Sequence, residues 1–138
     1  MSGTSGFAPA KGGPPPTGKW ILVVDDQPVM RDILEQFLRT DGHFVSTAAG
    51  SDEGLAKARS LPVDLVVLDL DMAASDGFRL AARLKDERGS LPVLFISARL
   101  KPHDLGKIGL KDAGGFLGVP FSLAEVRVTV ARLLGDRP

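Results

Sequence analysis

The sequence predicts a doubly wound α/β fold, five parallel strands in the order 2-1-3-4-5 with helices on both faces of the sheet. Short apolar runs such as Leu65-Val66-Val67-Leu68 recur without polar alternation, the pattern of strands covered on both faces. Between them lie segments with apolar residues at helical spacing, and strands alternating with helices join by right-handed crossovers into a parallel sheet. The runs also stop abruptly at Asp or Ser, and the carboxyl ends of strands are where open α/β sheets place their ligands.

Composition bounds the function. The 138 residues allow one domain with a sizeable core, and 43% hydrophobic with 25% charged residues is an ordinary globular balance. Seventeen basic and seventeen acidic residues cancel, leaving no electrostatic footprint for nucleic acid or an anionic membrane. The lack of cysteine excludes disulfides, thiolate metal sites and cysteine nucleophiles. No apolar run approaches the roughly 20 residues of a membrane span, and no signal-peptide core is visible, so no membrane insertion and a cytoplasmic location are expected.

In chain order, residues 1–19 are rich in Gly, Pro, Ser and Thr and are expected to form a disordered tail. Trp20-Ile21-Leu22-Val23-Val24 is the first strand and ends in Asp25-Asp26. Pro28 suits a first helical turn, and Met30, Ile33, Leu34, Phe37 and Leu38 mark one face of the helix that follows. Phe44–Ala48 is a second strand, and Ser51 is placed as the N-cap of a helix carrying Leu55, Ala56, Ala58 and Leu61. The third strand ends at Asp69, Asp76-Gly77 turns the chain, and a helix from about Phe78 to Glu87 points Leu80, Ala81 and Leu84 inward. Pro92–Ile96 is the fourth strand, ending in Ser97-Ala98. Residues 102–113 are expected to be a fourth helix, which Gly106 and Gly109 weaken by about 1 kcal/mol each relative to alanine. Gly115-Phe116-Leu117 is a short fifth strand, and the capping box from Ser122 to Glu125 starts a last helix with Val126, Val130, Leu133 and Leu134. The folded unit is thus read as 20–135, with 136–138 as its C-terminal end.

At this size the flavodoxin-like strand order is the natural choice, and it makes strands one and three neighbours. Asp25, Asp26 and Asp69 then converge on one rim, with Ser97 at the adjoining strand end. Like charges at this range need protonation, a basic side chain or a cation. An all-oxygen set without His or Cys suits Mg²⁺ or Mn²⁺, hard ions that bind a few carboxylates together with a phosphoryl group. A strand-end Asp beside such an ion suggests acyl-phosphate chemistry, with Asp69 attacking phosphorus and Ser97 bonding a phosphoryl oxygen. An Asp-Asp pair after a strand also serves simply as a helix cap, and it is the coincidence with Asp69 and Ser97 on the same rim that favours function. Asp71 and Asp76 read as turn residues, and Lys85, Arg99 and Lys101 as solvated surface.

These residues resemble the receiver domain of two-component response regulators, CheY-like, over about Trp20 to Leu134. The matching features are Val-Val-Asp25-Asp26, Leu-Asp69-Leu-Asp-Met followed by Asp-Gly77, Ile-Ser97-Ala98, and Asp-Ala-Gly-Gly-Phe-Leu-Gly-Val-Pro120-Phe121. The resemblance implies Asp69 as phosphoacceptor, and Asp25, Asp26 and Asp69 with the Asp71 backbone carbonyl as the Mg²⁺ site. It further implies Ser97 as the switch hydroxyl and Phe116 as the aromatic that moves with it. The donor would be a histidine kinase or a phosphotransfer protein. Output would be a protein–protein contact through the helix 4–strand 5–helix 5 face, with no direct nucleic-acid partner. Because the chain stops soon after the last helix, it is expected to act as a single-domain regulator, a phosphoacceptor rather than an enzyme.

Two positions depart from the family. Val119 stands where a lysine is usual, removing an interaction worth about 1–3 kcal/mol with charged groups. Ala73 replaces a usual proline and changes loop stiffness. Arg99 or Lys101 is expected to substitute for the lost cation. The Val119–Pro120 bond is a candidate for cis, which X–Pro bonds tolerate. The alternative is a phosphorylation-independent pseudo-receiver acting as an interaction module, although such a module gains nothing by concentrating three acids. A small aspartyl phosphatase is disfavoured because no cap domain or further catalytic lysine is present.

Overall fold

The computed structural model describes residues 18–107, 109 and 114–135. The expectations for residues 1–17 of the tail and for 136–138 lie outside the described residues. Strands β1 (Trp20–Val24), β2 (Phe44–Ala48), β3 (Leu65–Asp69), β4 (Val93–Ser97) and β5 (Gly114–Gly118) form one parallel sheet in the order β2-β1-β3-β4-β5. Helices α1 (Pro28–Thr40), α2 (Ser51–Ser60), α3 (Asp76–Glu87), α4 (Asp104–Lys107) and α5 (Leu123–Leu133) complete the alternation. The expected flavodoxin-like doubly wound topology is the observed one.

Alternation along each strand sends side chains to two cores, one per sheet face. Leu22, Val24, Val66, Leu68 and Phe95 pack with Leu80, Ala81 and Leu84 of α3 and Ala58 of α2. Ile21, Val23, Leu65, Val67, Leu94 and Ile96 pack with Leu34 and Leu38 of α1 and Val126 and Val130 of α5. The register is what positions the site. Val24 is opposite Leu68, so Asp25 and Asp26 on one strand and Asp69 on its neighbour leave the sheet at the same level. Asp69 pairs with Ile96, which puts Ser97 one step farther along the next strand. Bonds beyond the strands, from Asp25 N–H to the Ala48 carbonyl and from Leu70 N–H to the Ile96 carbonyl, hold this rim in place. Among the described residues, no helix is long and apolar enough to cross a membrane.

Several local expectations need correction. Ile33 is 46% exposed; the inward face of α1 is Leu34 and Leu38, with Met30 and Phe37 packed alongside. Asp76 and Gly77 do not make the turn but are the first residues of α3. The turn is made earlier, by a 3-10 segment at Ala73–Ser75 in which Ala74 and Ser75 adopt the left-handed conformation (φ 56° and 59°), costing roughly 1 kcal/mol per residue. Ser51 is not the N-cap of α2. Gly50 occupies that position, and Asp76 of α3 caps the helix from outside, accepting from Ser51 N–H and Ser51 Oγ–H, each at 2.6 Å. A glycine has no side chain to satisfy the first N–H groups of a helix, so a carboxylate from the neighbouring helix does it. Helix α4 is described only over Asp104–Lys107; Gly109 beyond it has φ +77°, and residues 108 and 110–113 of the expected helix lie outside the described residues. The capping box of α5 is present, with Ser122 Oγ accepting from Glu125 N–H at 3.0 Å and Glu125 accepting from Ser122 N–H at 2.9 Å.

Candidate functional site

One carboxylate oxygen from each of Asp25, Asp26 and Asp69 lies within 4.8 Å of the other two. Asp25 is buried, with 3% exposure, Asp69 is partly buried, and Asp26 is exposed. Each acid is aimed by a backbone donor. Asp25 Oδ1 accepts from Gln27 N–H (2.9 Å), Asp69 Oδ1 from Asp71 N–H (2.7 Å), and Asp26 Oδ2 from Ala73 N–H (3.2 Å). The last bond ties the β1–α1 loop to the strained loop after β3. A cleft of about 130 Å³ opens over the acids and is lined by Asp25, Gln27, Met30, Asp69, Asp71, Ile96, Ala98 and Val119.

Electrostatics follow from this crowding. Burial, then the charge and hydrogen bond of Asp69 and the charge of Asp26, push Asp25 up to about 7, with the Gln27 N–H opposing. Asp69 is also raised, first by burial and then by Asp71 and Asp26, against the Asp71 N–H and a hydrogen bond with Asp25.

Ser97 is fully buried. Its hydroxyl donates to Asp71 Oδ1 at 2.6 Å and accepts from the N–H groups of Arg99 (3.0 Å) and Leu100 (2.9 Å). The other Asp71 oxygen accepts from Ala98 N–H at 2.6 Å, and the Arg99 guanidinium lies 3.4 Å from Oδ1. Burial pushes Asp71 up, but the bonds from Ser97, Ala98 and Arg99 outweigh it and hold the carboxyl below its ordinary value. Phe116 pairs with Phe95 across the β4–β5 ladder and packs, partly buried, against the core on the α3 side. Val119 donates its N–H to the Ser97 carbonyl (3.0 Å), precedes Pro120 through a cis bond, and is 38% exposed.

The structure thus brings Asp25, Asp26 and Asp69 together and sets Ser97 at the adjoining strand end, while Phe116 packs into the core on the α3 side. Arg99, one of the two candidates to replace the lost cation, is paired with Asp71. The sequence marks Asp71 as a turn residue, and the structure places its side chain among the donors at the end of β4. Its position just past β3, beside the end of β4, was the available signal.

A model of the response regulator receiver domain matches residues 21–131. The chain belongs to this family. Among curated relatives, the transcriptional regulatory protein TcrA of Mycobacterium tuberculosis is 38% identical over 112 residues, covering 80% of this chain and 44% of that protein. The response regulator GtcR of Aneurinibacillus migulanus is 37% identical over 117 residues, covering 83% of this chain and 46% of that protein. The chain therefore spans about half the length of the curated relatives it matches. Among solved structures, the chemotaxis protein CheY4 of Vibrio cholerae superposes with a TM-score of 0.76 at 27% identity, over 85% of this chain and 99% of that one.

Receiver domains bind Mg²⁺ through an acidic cluster, and the receiver described here has the donors for it. The three acids offer only hard oxygen ligands within one ion's reach. The Asp25 carboxyl, raised first by burial and then by its acidic neighbours, would also be relieved by a positive charge in this site.

The raised Asp25 carboxyl gives a stability prediction for the metal-free receiver. Because the folded-state pKa of Asp25 is raised from 3.8 to about 7, its penalty is absent below about pH 4, grows as pH rises, and is complete above about 7. Asp25→Asn in EDTA is expected to raise the unfolding midpoint by roughly 5 °C at pH 8, about 1–2 kcal/mol, and to have little effect at pH 4. Thermal melts at the two pH values check the sign.

Proposed function

We propose that residues 20–135 are a working phosphoacceptor in which Asp69 takes a phosphoryl group from the phosphohistidine of a kinase or phosphotransfer protein. The observation that carries this reading is the convergence of three carboxylates at the ends of the neighbouring strands β1 and β3, with a hydroxyl at the end of the next. Asp25, Asp26, Asp69 and the Asp71 backbone carbonyl would hold Mg²⁺ or Mn²⁺. When bound, that ion supplies positive charge beside the phosphoryl oxygens.

An oxygen of Asp69 attacks phosphorus, the O–P bond forms as the P–N bond breaks, and the imidazole leaves with the electron pair and takes a proton from solvent. Ser97 then supplies a hydroxyl to one phosphoryl oxygen, and Phe116 repacks with it. The output is a changed protein-contact surface on the α4–β5–α5 face. The balanced charge favours a protein partner for this chain; the relatives that are transcriptional regulators are about twice its length, so contacts of a longer protein with nucleic acid fall outside this reading. Val119 supports a second reading, a pseudo-receiver that docks partners without phosphate, because an apolar side chain lines the cleft where the family places a cation.

Intact mass after incubation with acetyl phosphate separates the two. The expected result is a single-phosphate adduct that requires Mg²⁺ and is lost in Asp69→Asn. Wild type that stays unmodified with acetyl phosphate, phosphoramidate and a panel of phosphorylated histidine phosphotransfer proteins would favour the docking module.

A further inference from the structure

We infer that the Asp71 side chain is a positioning residue, a built-in anion that in the resting domain holds the donors a phosphoryl group on Asp69 must recruit. The inference rests on the phosphoacceptor reading and adds to it a competitor for the Ser97 hydroxyl.

A hydroxyl has one proton to give. Ser97 gives its proton to Asp71 at 2.6 Å, while its lone pairs take the N–H groups of Arg99 and Leu100. The residue is fully buried, so water does not supply an alternative partner. Its hydrogen-bonding capacity is filled, and a phosphoryl oxygen gains the hydroxyl only by taking it from Asp71. The same exchange applies to Ala98, whose single N–H is committed to the second Asp71 oxygen at 2.6 Å. Arg99 is held more loosely, at 3.4 Å with its side chain 69% exposed, and is the first of the three free to leave.

The position of Asp71 makes this a contest between neighbours. Leu70 N–H bonds the Ile96 carbonyl, which fixes the backbone between the two aspartates to β4. Asp69 and Asp71 therefore present two anions to one set of donors at the start of the β4–α4 loop. A carboxylate holds that set at rest, and the more highly charged phosphoryl group draws it over. Where the family uses the backbone carbonyl at this position, here the side chain restrains the switch. With valine at 119 adding no cation, Ser97, Ala98 and Arg99 are the donors at stake.

The test uses the purified chain with Mg²⁺ and acetyl phosphate, in wild type, Asp71→Ala, Ser97→Ala and the double variant. In the unphosphorylated proteins, amide exchange at Ala98 is expected to quicken at least 10-fold in Asp71→Ala, with the β4 amides Val93–Ile96 unchanged. The steady-state ratio of phosphorylated to unphosphorylated protein is expected to rise about 5-fold in Asp71→Ala, and that gain is expected to vanish in the Ser97→Ala background. Removing a negative charge beside the acceptor would instead raise it equally in both backgrounds. Unchanged exchange at Ala98, an unchanged ratio, or a gain indifferent to Ser97 overturns the inference while the acceptor reading stands. Wild type that takes no phosphate from acetyl phosphate, phosphoramidate or phosphorylated histidine phosphotransfer proteins overturns both.

Discussion

Gly77→Ala is expected to lower the unfolding midpoint by roughly 10 °C, about 3 kcal/mol, and to weaken Mg²⁺ binding at the same time. A methyl group built on Gly77 falls 2.4 Å from the Asp69 carbonyl oxygen and 2.9 Å from Leu70 Cα. Both obstacles are backbone at the end of the central strand, which neither rotates away nor shifts without moving the acceptor. Two effects oppose each other, because alanine is favoured over glycine inside a helix by about 1 kcal/mol. The clash outweighs it, since relieving it requires the first turn of α3 to back off the sheet. Gly118→Ala is the control: its added carbon meets only ordinary contacts, 3.8 Å to Phe116 and 3.9 Å to the Ser97 carbonyl. Thermal melts of the two variants and Mg²⁺ titrations of each check the contrast. A Gly77→Ala protein as stable as wild type would mean that α3 is not seated against Asp69 as described.

Val119→Lys is expected to give the largest functional gain. Val119 lines the cleft with Asp25 and Asp69, and its side chain is open enough to lengthen without displacing core atoms. An ammonium placed there meets two carboxylates at rest and a phosphoryl group afterwards, and charge-assisted bonds of this kind contribute about 1–3 kcal/mol. At about 1.4 kcal/mol per factor of ten, phosphorylation by acetyl phosphate should quicken about 10-fold or more. The metal-free protein should also gain several degrees in its unfolding midpoint, because a cation offsets part of what burial and then the acidic neighbours cost the charged Asp25. Val119→Met, which adds length without charge, should do neither. A lysine variant that behaves like the methionine one would show that position 119 does not address Asp69.

Features that depend on strand pattern were legible in the sequence. The uniform apolar runs required a sheet covered on both faces, and that sheet fixed the order that brings Asp25, Asp26 and Asp69 to one rim. The capping box of α5 was legible for the same reason, since both partners lie within four residues. What escaped depends on contacts distant in sequence. Asp76 caps α2 from 25 residues away, a partnership that no local signal at Ser51 reveals. Ile33 fits the apolar spacing of α1, yet it points outward because the core is already filled by Leu34 and Leu38. Asp71 looked like an ordinary turn residue because its donors come from the start of a different loop, 26 to 28 residues on. Of Arg99 and Lys101, the two candidates to replace the lost cation, Arg99 pairs with Asp71.

The central claim, that Asp69 is the acceptor, is tested most directly by locating the phosphoryl group. An aspartyl phosphate is an acyl phosphate, and borohydride reduces it to homoserine, leaving a permanent mark on the residue that carried it. Peptide mapping after phosphorylation with Mg²⁺ and reduction should find homoserine at position 69 alone, and at no position when Mg²⁺ is withheld. Homoserine at Asp26 or Asp71 with position 69 intact, or a mark that forms equally well without the ion, would contradict the account.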